Sequence, residues 1–185
     1  MTLLPALFLA LAALVAAMLY SGSRLPRTHV AASRIRLNVP PETLWSVITD
    51  FPAYSQWRRG LVRVEHGPVI DGLPSWYEYC TEDSWMHFRV MEWASPSRLV
   101  TCIVGKDLLF TGTWEYQIEP AGEGSLLTIT EWENLHAPWL RFLDYFVLRY
   151  HGVMDVYLLS LALHLDEPAK PEHLSIPLDP PDTGA

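Results

Sequence analysis

Leu3 to Tyr20 is an apolar run without a charge, and the chain turns polar immediately after it at Ser21-Gly22-Ser23-Arg24. At about 1.5 Å per residue a helix over this run reaches roughly 27 Å, close to the thickness of a bilayer's hydrocarbon core. The pattern predicts a single membrane-spanning anchor. The nearest positive charges, Arg24, Arg27, Arg34 and Arg36, all follow the run. The positive-inside rule therefore predicts a cytoplasmic domain. A cleaved signal peptide is the alternative, with Ser21 and Ser23 as the small residues before the cut, and it implies an exported domain. Only Thr2 stands between Met1 and the run, where a signal peptide carries a basic segment.

Beyond a linker at 21–28, the period of the pattern changes several times. Ser33 to Asn38 alternates as a strand does. Val39-Pro40-Pro41 opens a helix, with Leu44, Trp45, Val47 and Ile48 at helical spacing, and Phe51-Pro52 stops it. A short helical turn follows from Ala53 to Trp57. Segments 61–66, 75–80, 85–93, 98–104, 109–119 and 125–134 read as strands separated by Gly, Pro, Asp and Ser turns. A long helix is predicted from Pro138 to Leu165, and the Pro-rich remainder reads as a flexible tail. The expected organisation is an anchor over 1–22, one domain over 30–166 and a tail over 167–185. The fold class is α+β, a curved antiparallel sheet wrapped around a long C-terminal helix.

Composition removes several functions. The formal charge is −8, with no basic run beyond Arg58-Arg59, so nucleic acid is not an expected partner. Cys80 and Cys102 are the only cysteines, and the seven histidines form no HxxxH or HExxH pair. No metal site and no cofactor are expected from these spacings. No Gly-rich phosphate loop or GxSxG elbow is present.

The order of elements resembles the START-like helix-grip fold, and the wording resembles its polyketide cyclase/dehydrase branch within the SRPBCC superfamily. The resembling pieces are Val39-Pro40-Pro41-Glu42-Thr43-Leu44-Trp45, Thr49-Asp50-Phe51-Pro52-Ala53-Tyr54 with Trp57, and Gly112-Thr113-Trp114-Glu115-Tyr116 with Ile118-Glu119-Pro120. Thr128-Ile129-Thr130-Glu131 and Met154-Asp155-Val156-Tyr157-Leu158 complete the set. The resemblance covers roughly residues 30 to 165. It implies the helix-grip fold but no single activity, because such families include lipid carriers, ligand receptors, cyclases and chaperone-like binders.

Strand registers predict which side chains face the cavity. A four-residue turn at Thr81 to Ser84 pairs Tyr79 with Met86 and Tyr77 with Phe88. A turn at Ala94 to Ser97 pairs Val90 with Thr101 and Phe88 with Ile103. Further on, Gly112 falls beside Thr101, Trp114 beside Leu99 and Glu131, Tyr116 beside Ile129, and Ile118 beside Leu127. All these residues then share one inner face, apolar apart from Tyr77, Tyr79, Thr101, Tyr116 and Glu131, with Gly112 as a gap. The outer face carries Glu78 opposite His87 and Trp76 opposite Arg89. It also carries Cys80 and Cys102, roughly 17 Å apart at about 3.4 Å per residue and 4.8 Å per strand, too far for a disulfide.

On the long helix, Leu143, Phe146, Val147, Tyr150, Met154, Tyr157, Leu158, Leu161 and Leu165 form a stripe that closes the cavity. Tyr145, Leu148, Val156, Leu159 and Leu163 form a second stripe on the far side. The tail, through Leu174, Ile176 and Leu178, or a membrane or partner chain, is expected to cover it. The expected ligand-binding set is Tyr77, Tyr79, Phe88, Thr101, Gly112, Trp114, Tyr116, Glu131, Tyr150, Met154 and Tyr157. The first functional reading is a membrane-tethered module that binds a lipid or other hydrophobic small molecule without catalysis. The second is a cyclase- or dehydratase-like enzyme using Glu131, with Tyr77 or Tyr79 orienting a carbonyl. The third is a protein-interaction module docking through the second stripe.

Overall fold

The structure is a computed structural model that describes residues 3–106 and 108–175. An apolar helix, α1 (Leu3–Arg24), leads into a strand, β1 (Thr28–Leu37), and a helix, α2 (Pro41–Thr49). A 3-10 turn over Phe51–Ala53 and a single helical turn, α3 (Tyr54–Trp57), follow. The meander comprises β2 (Arg63–His66), β3 (Ser75–Tyr79), β4 (Trp85–Ala94), β5 (Arg98–Val104), β6 (Phe110–Ala121) and β7 (Gly124–Leu135). Two helices, α4 (Pro138–Leu143) and α5 (Gly152–His164), and a short strand, β8 (Glu172–Leu174), complete the fold. The strands form one antiparallel sheet in the order β2-β3-β4-β5-β6-β7-β1-β8.

The sheet curls around α5, because both present apolar faces that water would otherwise cover. Met154, Leu158 and Leu161 of α5 are fully buried, packed with Ile35, Leu99, Leu127 and Ile129 of the sheet and with Leu44 and Ile48 of α2. This is the α+β arrangement that the alternation predicts.

Three local corrections matter for function. First, the turn after β3 has three residues, not four. The Cys80 amide donates to the Ser84 carbonyl, and the Ser84 amide donates to Thr81 Oγ1, each at 3.0 Å. Tyr79 therefore lies opposite Trp85, and Trp76 opposite Phe88. A one-residue slip turns over every side chain of a strand. Tyr77 and Tyr79 accordingly face outward, and Trp76 and Glu78 face the core.

The turn after β4 is also odd, but a bulge between Val90 and Glu92 restores the phase. Val90 opposite Thr101 and Phe88 opposite Ile103 hold as expected. β6 is shifted by two residues against β5, so that Trp114 lies beside Thr101. An even shift keeps the face. The β6–β7 register agrees with expectation at Trp114–Glu131, Tyr116–Ile129 and Ile118–Leu127.

Second, the long helix is broken. A π-turn over Asp144–Leu148 ends in Arg149 and Tyr150, both left-handed with φ of 54° and 64°. The helical axis bends by 52° there. Phe146 and Val147, expected to close the cavity, are exposed instead. The second stripe of Tyr145, Leu148, Val156, Leu159 and Leu163 is exposed as well.

Third, part of the expected tail is ordered. β8 pairs with β1, placing Leu174 opposite Ala32 and not over the second stripe. Arg34 Nε donates to Glu172 at 2.9 Å, and the Asn38 amides donate to Glu167 at 3.0 and 2.8 Å. Ile176 and Leu178 lie outside the described residues.

The apolar helix α1 is exposed over almost its whole length, and its C-terminal end packs against α4. Gly22 makes that contact possible. A Cβ there would stand 1.9 Å from the Pro138 carbonyl oxygen, so no other residue fits without parting the two helices.

Candidate functional site

A cavity of about 290 Å³ lies between the inner face of the sheet and the joint of α4 with α5. Its wall is mostly apolar, including Trp76, Met86, Phe88, Ile103, Phe110 and Leu135. Leu140, Leu143, Leu148, Tyr150 and Val153 line the side formed by the broken helix.

Of the residues expected from sequence, the structure brings Phe88, Thr101, Gly112, Trp114, Tyr116, Glu131 and Tyr150 to this wall. Met154 and Tyr157 sit in the core behind it, the Tyr157 ring 5.6 Å from Trp114 and 5.8 Å from Tyr116. Tyr77 and Tyr79 are elsewhere. Tyr77 stacks on His87 on the outer face, and Tyr79 donates its hydroxyl proton to Glu65 while Arg63 covers its ring. The expected outer-face pairs are absent for the same reason, and Arg89 pairs with Asp71.

Two polar groups occupy the wall. The first was hidden by the register. Arg58, just after α3, donates Nη1–H to Glu78 Oε1 at 2.5 Å, and Trp76 Nε1–H donates to the same oxygen at 2.9 Å. The guanidinium lies 4.9 Å from the Tyr54 ring and 5.0 Å from that of Tyr157. Burial works against its charge, and the Glu78 carboxylate more than compensates, so the guanidinium's pKa stays above its ordinary range. Burial, with the neighbouring tyrosines and Glu78 adding and Arg58 opposing, raises the Tyr54, Tyr116 and Tyr157 hydroxyls well above theirs, which keeps them neutral.

The second group is acidic. Glu131 accepts a hydrogen bond from Trp114 Nε1 at 2.5 Å, and burial pushes its carboxyl up to about 7. Glu133, the next inward residue of β7, is pushed up to about 8, first by burial and then by the charges of Glu131 and Asp144. Asp144 of the π-turn is pushed up to about 6 by burial. Beside them stands His29, opposite Glu133 in the β1–β7 register. Burial, with His151 adding, lowers its imidazole to about 4. His29, Glu133 and Asp144 were not expected here. Their separation in sequence conceals them, and β1 begins five residues earlier than the alternation at Ser33 first shows.

A family described as polyketide cyclase / dehydrase and lipid transport matches residues 27–155, more than half of the chain. The chain belongs to that family. No curated protein matches its sequence.

Solved structures extend the likeness at the level of fold. A START superfamily protein from Mycobacterium smegmatis superposes with a TM-score of 0.61 at 17% identity, over 75% of this chain and 97% of that one. The Zhui aromatase/cyclase from Streptomyces sp. R1128 gives 0.60 at 12% identity, over 75% and 94%. The di-domain aromatase/cyclase StfQ of the steffimycin biosynthetic pathway gives 0.58 at 10% identity, over 73% of this chain and 50% of that one. The chain thus spans half the length of the di-domain protein. At these identities the likeness concerns the START-like fold alone, and α1 lies before the residues that the family matches.

Proposed function

We propose that this member of the family holds a hydrophobic small molecule or lipid in its cavity while α1 tethers it to a membrane. One observation supports the reading above the others. The cavity's helical side runs from Leu140 to Val153, Trp139, Leu143, Phe146 and Val147 on the same segment are exposed, and α4 packs against the C-terminal end of α1. An apolar ligand leaving a bilayer there crosses little water. Arg24 and Arg27, at the polar end of α1, favour the cytoplasmic side for the domain.

The cavity volume limits the ligand. Pockets for small molecules run from roughly 300 to 1,000 Å³, and this one lies at the small end. A single chain or a compact ring system fits it better than a two-chain lipid.

Gly112 supplies the test. A Cβ at this position makes only ordinary contacts, the nearest at 3.7 Å from Ile103 and from the Trp132 carbonyl oxygen. Gly112→Leu therefore fills the cavity without straining the strand. The full chain is purified in mild detergent, extracted with organic solvent and examined by mass spectrometry. An apolar compound near one equivalent is expected from the parent, with at least a tenfold loss in the folded variant. Equal recovery from both, or none from the parent, overturns the reading.

A further inference from the structure

We infer that His29, Glu133 and Asp144 form a binding site for one divalent transition-metal ion, open toward the cavity. Three separate elements, β1, β7 and the π-turn after α4, bring the donors together. One ligand atom from each residue can be chosen so that all three lie within 4.8 Å of one another. The closest approaches are 3.5 Å, from His29 Nε2 to Glu133 Oε2 and from His29 Nδ1 to Asp144 Oδ2. The edge of a tetrahedron with bonds of about 2.1 Å is about 3.4 Å, and because the two approaches use different ring nitrogens, the carboxylate on the far side of the imidazole must turn inward from within 4.8 Å to join the shell.

The hydrogen bonding of the cluster points the same way. His29 Nε2 and Asp144 Oδ2 are buried and have no hydrogen-bond partner among the described residues, and each residue keeps only 9% of its surface exposed. Leaving such atoms unsatisfied is costly, and a cation placed between them satisfies both. Among the described residues, His29 is the only basic side chain within 4 Å of either carboxylate.

An imidazole with two carboxylates suits Zn²⁺, Co²⁺ or Mn²⁺ better than the all-oxygen shells preferred by Ca²⁺ or Mg²⁺. One imidazole nitrogen binds the ion. The Tyr150 ring, 4.3 Å from that of His29, fixes the plane of the imidazole. A second and more open cavity of about 760 Å³ reaches His29, Glu133 and Tyr150 and gives the ion a way in. Three protein ligands leave at least one coordination position for an oxygen or nitrogen of whatever the main cavity holds.

Metal binding is separable from the hydrophobic-ligand reading and is tested with the metal alone. The full chain in mild detergent is stripped with EDTA and titrated with Zn²⁺ by calorimetry and with Co²⁺ by visible absorption. One saturable equivalent is expected, with a Zn²⁺-dependent rise in melting temperature. His29→Ala and Asp144→Asn should each weaken binding tenfold or more and remove the rise in melting temperature. Glu172→Gln, at an exposed carboxylate, should change neither. If His29→Ala does not fold, Glu133→Gln, which keeps the side-chain shape, replaces it. No saturable binding by the parent, or equal affinity in parent and variants, overturns the inference. A parent that retains an extractable apolar compound but takes up no Zn²⁺ overturns it and leaves the ligand reading standing.

Discussion

Glu78→Gln should destabilise the domain by about 3–5 kcal/mol, as removal of one partner of a buried ion pair generally does. The substitution keeps an oxygen that can accept from Trp76 Nε1 and removes only the negative charge. Arg58 then stays among Tyr54, Tyr157 and Trp76 with no counter-ion. Its side chain is only 17% exposed, too little for water to take over from Glu78. The double variant Arg58→Met with Glu78→Leu should recover part of the loss, because two desolvated charges are exchanged for apolar contacts while the buried Trp76 Nε1–H loses its acceptor. Urea unfolding of parent, single and double variants in the same detergent checks both statements. A single variant within about 0.5 kcal/mol of the parent, in the range of ordinary surface substitutions, would mean that the pair is solvated and does not organise the cavity floor.

That ion pair also shows where the sequence is readable and where it is not. The order of elements and the face of β6 and β7 are legible, because Trp114, Tyr116 and Ile118 alternate strictly and only one partner register suits them. β3 is different. Trp76, Tyr77, Glu78 and Tyr79 offer an aromatic residue to either face, so hydrophobicity does not choose, and one residue in the Thr81–Asp83 turn decides. The obvious preference puts the glutamate in water, and the buried Arg58 reverses it. In β4 an equally odd turn does no harm, since the bulge at Met91 cancels it.

His29 was within reach of the pattern. Stepping back by twos from Leu37 and Ile35 passes Ser33 and Ala31 and arrives at His29, all buried on one side. The small side chains at Ala31 and Ser33 hide the alternation. The break at Arg149-Tyr150 has no such signal, because Leu143 to Leu165 keeps an apolar stripe throughout. Left-handed backbone at an arginine and a tyrosine is set by tertiary packing, not by local preference.

Between pH 6.5 and 8, the EDTA-treated domain should lose about 2–3 kcal/mol of stability, because each pH unit over which one group differs in protonation is worth about 1.4 kcal/mol. Glu133 and Glu131 hold their protons up to about 8 and about 7 in the folded chain. In the unfolded chain carboxyls are already ionised above pH 6. The folded state therefore binds more protons than the unfolded state in this window, and raising the pH favours unfolding. Asp144, pushed up to about 6, contributes mainly below the window. His29 acts with the opposite sign. Its folded value near 4 lies below the ordinary 6.5, so it costs stability as the pH falls from 6.5 toward 4. The three raised carboxyls outweigh that one group down to the ordinary carboxyl range, so stability falls with rising pH through the whole window, led by Glu133 and, less strongly, Glu131. Glu131→Gln keeps an acceptor for Trp114 and removes a titrating group that also raises Glu133. Its stability curve should be flatter, and above pH 7 it should be more stable than the parent. Denaturant unfolding at half-unit pH steps measures both curves. Parallel curves for parent and variant would show that Glu131 is ionised and solvated throughout, and the cavity wall would then lack the acidic character assigned to it.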